Sequence, residues 1–434
     1  MDLSKRLQVG IDFSRAKVDV CLLDSGGEVL VMHKSFSNSP AGYQKAKELF
    51  QKVLDSRGLE GVDISGEATG FYWLPFYLQL ANDAELKALD EQLFVLNPLW
   101  VRWFKKSLPQ DDKTDAKDPF YIADRTRTRR PKETWSPQED WMGLRIYTRV
   151  RFHLAQNLAR EKNFFQAYLF LAHSGYNRVH PFTDTFSVTS RKLLQQPQKL
   201  AELVEMPEEQ IAAELFRLSG HSLRDPLQNA QLLKQAMLES FSLPTGLSEP
   251  VQRVLELVMR HIEFLEGQIQ QVEQWIAADA QAHHPQVQLL NSIPGIGLVF
   301  ASGIAAEVGD LERFLSGRKW DPKRQAYRSK HLRDAEDAIA KFAGLWWPRS
   351  SSGDFEAEER SLAKTGNAYL RYYLIEAADS LRRHIPSFTA YYQKKYPEVN
   401  KHNHKRALVL TARMSLGLYV GLLHRHEAYR PEVA

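Results

Sequence analysis

Cys21 is the only cysteine in 434 residues, so one chain can build neither a disulfide framework nor a cysteine-based zinc site, and a reducing compartment fits. No stretch offers the roughly 18 uninterrupted apolar residues that a membrane helix needs. The opening MDLSKRLQVG lacks the cationic segment followed by a long apolar one that marks a secretory leader. Internal repeats and low-complexity segments are missing too. Net charge is small: 57 Lys and Arg against 53 Asp and Glu, formally +4. Many enzymes share that balance, so only its local distribution can point to nucleic acid. With 43% apolar residues the composition is globular. The expectation is a soluble, cytoplasmic protein of two or three domains with no membrane contact.

The apolar pattern divides the chain in three. Leu7, Val9 and Ile11, then Val18, Val20 and Leu22, alternate with polar residues and predict a hairpin, followed by a Ser-Gly-Gly turn at 25–27. Glu28 to Lys34 predicts a third strand, and Asn38-Ser39-Pro40 opens an amphipathic helix from Tyr43 to Leu54. Gly61 to Ile64 and Gln92 to Asn97 are further strand candidates. A meander followed by strands alternating with helices describes an α/β domain over 1–137. Residues 138–284 are expected to be helical. Within them Val251, Val254, Val258, Ile262, Leu265, Ile269, Val272 and Ile276 recur at steps of three and four. That stripe suits either a coiled-coil arm between protomers or a long helix packed inside one chain, with Gly267 as an interruption. Residues 285–434 are expected to form a third, helical domain.

Four acids stand out. Asp12 lies in the first strand candidate, Glu67 just beyond the fourth, and Asp115 and Asp118 in DDKTDAKD. Metal-assisted phosphoryl transfer needs several carboxylates converging on divalent cations. If Asp115 to Asp118 is helical, the spacing sets both on one face. Taken singly, an acid in such a segment is as readily a turn or cap residue, and Asp112 reads as an N-cap. Asp12 is the exception, because an unpaired carboxylate in a buried strand is costly.

VGIDFSRAKVDV around Asp12, GEATGFYW around Glu67, VLNPLWVRWF and DDKTDAKD together resemble the DEDD-type insertion-sequence transposases with a RuvC-like domain, the bridge-RNA-guided recombinases. The resemblance implies an RNase H-like fold for the first domain, with Asp12, Glu67, Asp115 and Asp118 as ligands of Mg2+ or Mn2+. It continues in FAGLWWPRSSSGDFEAEERSLAKTGNAYLRYYL, where it implies a serine nucleophile at Ser352 before Gly353. There Lys364, Asn367 and Arg371 are implied to contact DNA. It further implies donor and target DNA as substrates, a structured non-coding guide RNA, a homodimer or homotetramer, and a nucleoid-associated location in a prokaryote. Residues 7–125 and 288–420 carry the resemblance. The chain departs from the family pattern between Phe314 and Phe342. There Arg318, Lys319, Lys323, Arg324, Arg328, Lys330 and Arg333 stand against Asp321 alone before Asp334.

Three further features suit nucleic acid. IPGIGLVFASGIAAEVGD resembles a helix-hairpin-helix, in which Gly295 and Gly297 leave backbone N–H groups for a phosphate at a helix start. Arg125, Arg127, Arg129, Arg130 and Lys132 form a run of cations without an acid, and the 318–333 segment repeats the trend. Such clusters bind phosphate backbones, and equally occur as solvated loops. Trp100, Trp103, Phe104, Tyr72 and Trp73 interleave with cations and suit either base stacking or a core. His402-Asn403-His404 is expected at the surface of a basic helix start. The competing functions are a metal-only nuclease resembling a Holliday-junction resolvase, an actin-like phosphotransferase suggested by GIDFSRAKVDVCLLD, and a non-catalytic nucleic-acid-binding protein.

Overall fold

The computed structural model describes residues 3–431 except 69, 108–116, 129–130, 132–133, 349–350, 353–354 and 357–360. Two units divide the chain, Met1–Gln138 and Glu139–Ala434.

In the first unit β1 (Arg6–Phe13), β2 (Lys17–Leu23) and β3 (Val29–Ser37) form an antiparallel meander, followed by α1 (Pro40–Arg57) and β4 (Gly61–Glu67). Then come α2 (Leu74–Asn82), α3 (Ala84–Ala88), β5 (Glu91–Leu96), α4 (Pro98–Lys106) and α5 (Asp118–Thr128). The sheet order is β3-β2-β1-β4-β5, with β4 parallel to β1 and β5 parallel to β4. Helix starts follow local chemistry. The Ser39 hydroxyl accepts from Gly42 N at 3.2 Å with Pro40 in the first turn of α1, and the Asn97 side chain accepts from Leu99 N at 2.8 Å.

Alternation assigns the two sheet faces. Leu7, Val9, Ile11 and Phe13 join Val18, Val20, Val62 and Ile64 in a core with Tyr43 and Phe50 of α1 and Phe76 and Tyr77 of α2. On the opposite face Cys21 and Leu23 pack on Ala123 of α5.

At the starts of β1 and β4 that opposite face buries an ion pair. The Arg6 guanidinium donates to Asp63 at 2.7 Å and to Val62 O at 3.1 Å, and it also bonds the Asp90 carboxylate. Gln8 donates to the second Asp63 oxygen at 3.1 Å. Both partners are nearly inaccessible, at 3% and 2% exposure.

Strands begin and end within a few residues of expectation, with one consequential shift. β4 extends to Glu67, which therefore ends the strand and does not follow it.

In the second unit α6 (Glu139–Ala172) lies along α12 (Thr245–His283). Between them run α7 (Tyr176–Val179), α8 (Val188–Leu194), α9 (Pro197–Val204), α10 (Glu208–Leu218) and α11 (Pro226–Leu238). The α12 stripe from Val251 to Ile276 is mostly buried within the chain. Val251, Val258 and Ile262 enter one core with Phe165 and Leu215, while Val272 and Ile276 enter a second with Ile304 and Tyr373. The stripe thus follows the long intrachain helix of the two alternatives, and α12 continues through Gly267.

The chain goes on with α13 (Pro285–Asn291), α14 (Leu298–Val308), α15 (Glu312–Leu315), β6 (Arg318–Asp321), β7 (Ala326–Ser329) and α16 (Leu332–Ala343). It ends with β8 (Ser351–Ser352), β9 (Phe355–Glu356), α17 (Ala368–His384), α18 (Pro386–Lys395) and α19 (Asn403–Arg425). The region expected to be helical therefore also contains two short antiparallel ribbons, β6–β7 and β8–β9. In β6–β7, Pro322 and the Asp321 side chain, which accepts from Lys323 N at 3.0 Å, turn the chain. Helix α19 is long and apolar enough to cross a membrane by length and composition. Its Ala412, Leu416, Tyr419 and Val420 are instead packed into the second core.

Because Asp63 is buried with its charge paired, Arg6→Ala should strip it of its counter-charge and lower the unfolding free energy by about 3–5 kcal/mol. A urea titration of the full chain checks this. Replacing the pair together by apolar residues of similar size should cost less, and an unchanged midpoint for Arg6→Ala would contradict the account.

Candidate metal centre and nucleic-acid surfaces

The centre lies on the α5 face of the sheet, at the carboxyl ends of parallel β1 and β4. The last paired residues of that ladder are Ile11 and Gly66, so Asp12 and Glu67 follow it side by side. Alternation sets Asp12 on the same face as Gly10, and Glu67 with Ser65. Both markers touch α5: the Ser65 hydroxyl lies 3.5 Å from Ile122 O, and Gly10 sits directly beneath the helix backbone. Helix α5 begins at Asp118, which brings a third carboxylate to this face.

Gly10 permits that approach. A Cβ there would lie 2.0 Å from Pro119 O and 2.5 Å from Ala123 N, so any side chain forces α5 off the sheet.

The electrostatics separate Asp12 from its neighbour. Burial pushes the Asp12 carboxyl above its ordinary value, the Asp118 charge pushes the same way, and Lys105 opposes them. Lys105 bonds Asp118 at 2.7 Å. Asp19, directly opposite Asp12 on β2, is different. Burial alone would raise it, but hydrogen bonds from Lys17, Ser35 and His33 hold it below the usual value. Asp19 has partners at 2.8 Å (Lys17) and 3.1 Å (His33).

An all-oxygen donor set is the hard set that suits Mg2+ or Mn2+. Among the described residues no three acidic, histidine or cysteine side chains gather closely enough to hold a metal ion. Asp118 lies near enough for its charge to bear on Asp12, and alternation puts Glu67 on the same sheet face as Asp12. Asp115 and Asp112 lie outside the described residues. Sequence reasoning passed over Lys105, whose only signal is its position at the end of VLNPLWVRWFKK.

The other candidates scatter. Arg127 is tied to Asp124 at 2.6 Å. Arg125 lines a cleft of about 400 Å³ with Trp100, Trp103, Phe104 and Ser107, whereas Trp73 packs edge-on against Tyr77. Arg129, Arg130 and Lys132 lie outside the described residues.

In the second unit Gly295 has φ +84° and a Cβ there would meet His384 Nδ1 at 2.6 Å, so packing as well as turn geometry requires it. Gly297 is exposed and N-caps α14. Ser352 pairs with Phe355 in the β8–β9 ribbon; Ser350 and Gly353 lie outside the described residues. Lys364 is exposed with φ +52°. Asn367 N-caps α17 and donates to the buried Glu307 at 2.6 Å, where Arg149 also bonds in a bidentate pair at 2.7 and 2.9 Å. Arg371 donates to Ala343 O at 2.9 Å and Lys364 O at 3.2 Å. Asn367 and Arg371 are thus engaged within the fold. His402 and Asn403 open α19, and His404 bonds the Tyr392 hydroxyl at 2.6 Å.

Comparison with known families matches both parts of the chain. Residues 9–173 match the DEDD_Tnp_IS110 transposase family, and residues 287–320 and 329–393 match the transposase family IS116/IS110/IS902. The chain is 30% identical over 189 residues to the transposase for insertion sequence element IS1111A of Coxiella burnetii, covering 43% of this chain and 45% of that protein. It is 28% identical over 140 residues to a probable family 20 transposase of Pseudomonas aeruginosa, covering 32% and 35%. To the insertion element IS900 uncharacterized 42 kDa protein of Mycobacterium paratuberculosis it is 23% identical over 359 residues, 80% of each. The chain therefore spans less than half the length of the first two relatives.

Two substitutions check the centre. Gly10→Ala should cost about 1–3 kcal/mol by forcing α5 outward, whereas Gly26→Ala, whose nearest contact is a side-chain oxygen at 3.3 Å, should be silent; equal unfolding midpoints would contradict the close-packed helix. For Asp12 the sign follows from linkage. A carboxyl whose folded pKa is raised stabilises the fold below its ordinary 3.8 and loses that contribution as pH rises through the folded value. Metal-free Asp12→Asn should therefore melt above wild type near neutral pH, the gap closing in acid. A lower melting point at neutral pH would mean that the carboxylate is a structural group.

Proposed function

Because the chain carries both an IS110-type DEDD transposase domain and an IS116/IS110/IS902 transposase domain, we propose that it is a transposase that cuts and rejoins DNA strands to move an insertion element. The observation that carries this reading is Asp12: a half-buried acid raised by its surroundings, beside Glu67 at the ends of parallel strands and facing the start of α5 at Asp118. The sheet order, with a meander leading into parallel strands, supports an RNase H-like first domain.

Asp12, Glu67, Asp115 and Asp118 are the proposed ligands. A divalent cation, Mg2+ or Mn2+, held there supplies charge neutralisation at the scissile phosphate and at the attacking and leaving oxygens. Lys105, bonded to Asp118, balances part of the acid charge and orients that carboxylate.

Ser352 is the proposed nucleophile. Its oxygen bonds to phosphorus as the bond to one sugar oxygen breaks, and the hydroxyl proton ends on that leaving oxygen. Attack by another strand's sugar hydroxyl reverses the exchange, restoring both serine and a phosphodiester. The energy of the broken bond is kept, so strands are rejoined and not merely hydrolysed.

The cations Arg125, Arg127, Arg129, Arg130 and Lys132, with Arg318, Lys323, Arg324 and Lys364, are proposed to follow phosphates, while Lys319 holds the ribbon to Asp334. Exposed Gly297 at the start of α14 and Gly295 before it offer backbone N–H groups. Asn367 and Arg371 support this surface through their bonds to Glu307 and to the 343–364 backbone. Donor and target DNA are the substrates, selected by a structured non-coding RNA, with a homodimer or homotetramer as the working assembly in a prokaryotic nucleoid.

The test incubates wild type, Asp12→Asn and Ser352→Ala with cognate element ends and Mn2+, then denatures and looks for protein-linked DNA. Wild type should form the adduct, chelation and Asp12→Asn should abolish it, and Ser352→Ala should abolish it while keeping DNA binding. Cleavage that survives Ser352→Ala with no adduct in any sample would replace the serine mechanism with metal-only hydrolysis.

A further inference from the structure

Residues 321–328, the turn and most of the second strand of the β6–β7 ribbon, fall between two stretches that match the IS116/IS110/IS902 family. The ribbon's strand register sorts the basic segment into two faces. On one face the cross-strand pair Lys319 and Arg328 grips Asp334, in the first turn of α16, with bonds of 2.6 Å from each. Those bonds, the Arg328 bond first, hold the Asp334 carboxyl far below the usual range. Lys330 donates to Phe314 O at 3.1 Å. Three of the seven cations in the segment, Lys319, Arg328 and Lys330, thus serve as an anchor for the ribbon.

The other face is aromatic. Trp320 pairs across the ribbon with Tyr327, ring centroids 5.2 Å apart and edge to face. Both remain exposed, at 49% and 58%. Arg318 is on the same face, its guanidinium donating to Tyr327 O at 2.8 Å, and Lys323 and Arg324 are exposed at the tip. Leaving two large rings in water on a four-residue ribbon is a hydrophobic cost that the local core does not recover. The nearby acids, Asp321 and Asp334, already serve the turn and the anchor. A partner complementary to this face needs flat apolar surfaces and negative charge at a spacing of one residue, and nucleotides with accessible bases supply both.

We propose that the outward face of the β6–β7 ribbon binds unpaired nucleotides, Trp320 and Tyr327 stacking on bases while Arg318, Lys323 and Arg324 follow the backbone. The inference rests on the reading of the chain as an enzyme of nucleic acid and adds to it a specific preference for unpaired bases. Single-stranded DNA exposed at a cut and a loop of RNA present the same chemistry.

The experiment titrates the full chain against labelled oligothymidine, oligouridine of equal length and a mixed-sequence duplex, following fluorescence anisotropy across a salt series. W320A/Y327A should weaken binding to one or both single strands by roughly tenfold or more, leave duplex binding within about twofold and leave the salt slope unchanged, because it removes no charge. Loss on oligothymidine assigns the site to DNA, and loss confined to oligouridine assigns it to RNA. W320F/Y327F should retain binding, and K323A/R324A should instead flatten the salt dependence for every ligand. Equal weakening on all three ligands, or none on either single strand, overturns the stacking proposal while leaving the transposase reading intact. Failure of the wild type to bind any nucleic acid overturns both.

Discussion

The approach of α5 to the bare backbone at Gly10 is the contact on which the candidate centre depends. Without a side chain at that point the helix backbone lies directly on β1, and its first residue comes to the carboxyl ends of β1 and β4. Those ends are where parallel strands in α/β folds commonly present their working groups. A single missing Cβ thus connects a strand acid to a helix acid that is far along the chain. The arrangement opposes the stability of the unit, since burial and like charge both disfavour the ionised Asp12. Local destabilisation of this sort is retained where a ligand or reaction gains from it.

Three acids on one sheet, Asp63 and Asp19 buried and Asp12 half-buried, show what separates structure from function. Asp63 has Arg6 and Gln8, and it ties the starts of two strands together. Asp19 has Lys17, His33 and Ser35. Asp12 has the Phe13 backbone N–H and a charge of its own sign nearby. All three are aspartates in strands of similar pattern, so residue type cannot rank them. The partners do.

The same distinction explains how much was legible beforehand. Alternating apolar residues predicted the meander and the parallel strands because period two is a direct consequence of strand geometry, and Ser39-Pro40 marked the helix start by its capping chemistry. The spacing of Asp12, Glu67 and Asp118 drew attention through family resemblance; strand alternation sets Asp12 and Glu67 on one face, and α5, which begins at Asp118, packs against that face. Periodicity in α12 predicted a buried stripe but not its covering, since an apolar face is the same whether α6 or another molecule meets it. The ribbons were missed because strands of two or four residues rich in Arg, Lys and Ser carry no alternating apolar signal. For Asn367 and Arg371 the resemblance implied contacts with DNA, and the fold adds hydrogen bonds to Glu307 and to backbone carbonyls. Such partners come from helices distant in sequence, and no local pattern announces them.

Cys21 lies fully inside the α5 face of the sheet, and burial pushes its thiol up to about 12. The thiolate that alkylating reagents and oxidants require is therefore scarce at physiological pH. The buried Cys21 should thus react slowly with maleimides, so a thiol introduced at a chosen surface position, such as Gln325→Cys at the ribbon tip, would be the favoured point of attachment for a fluorophore, spin label or crosslinker.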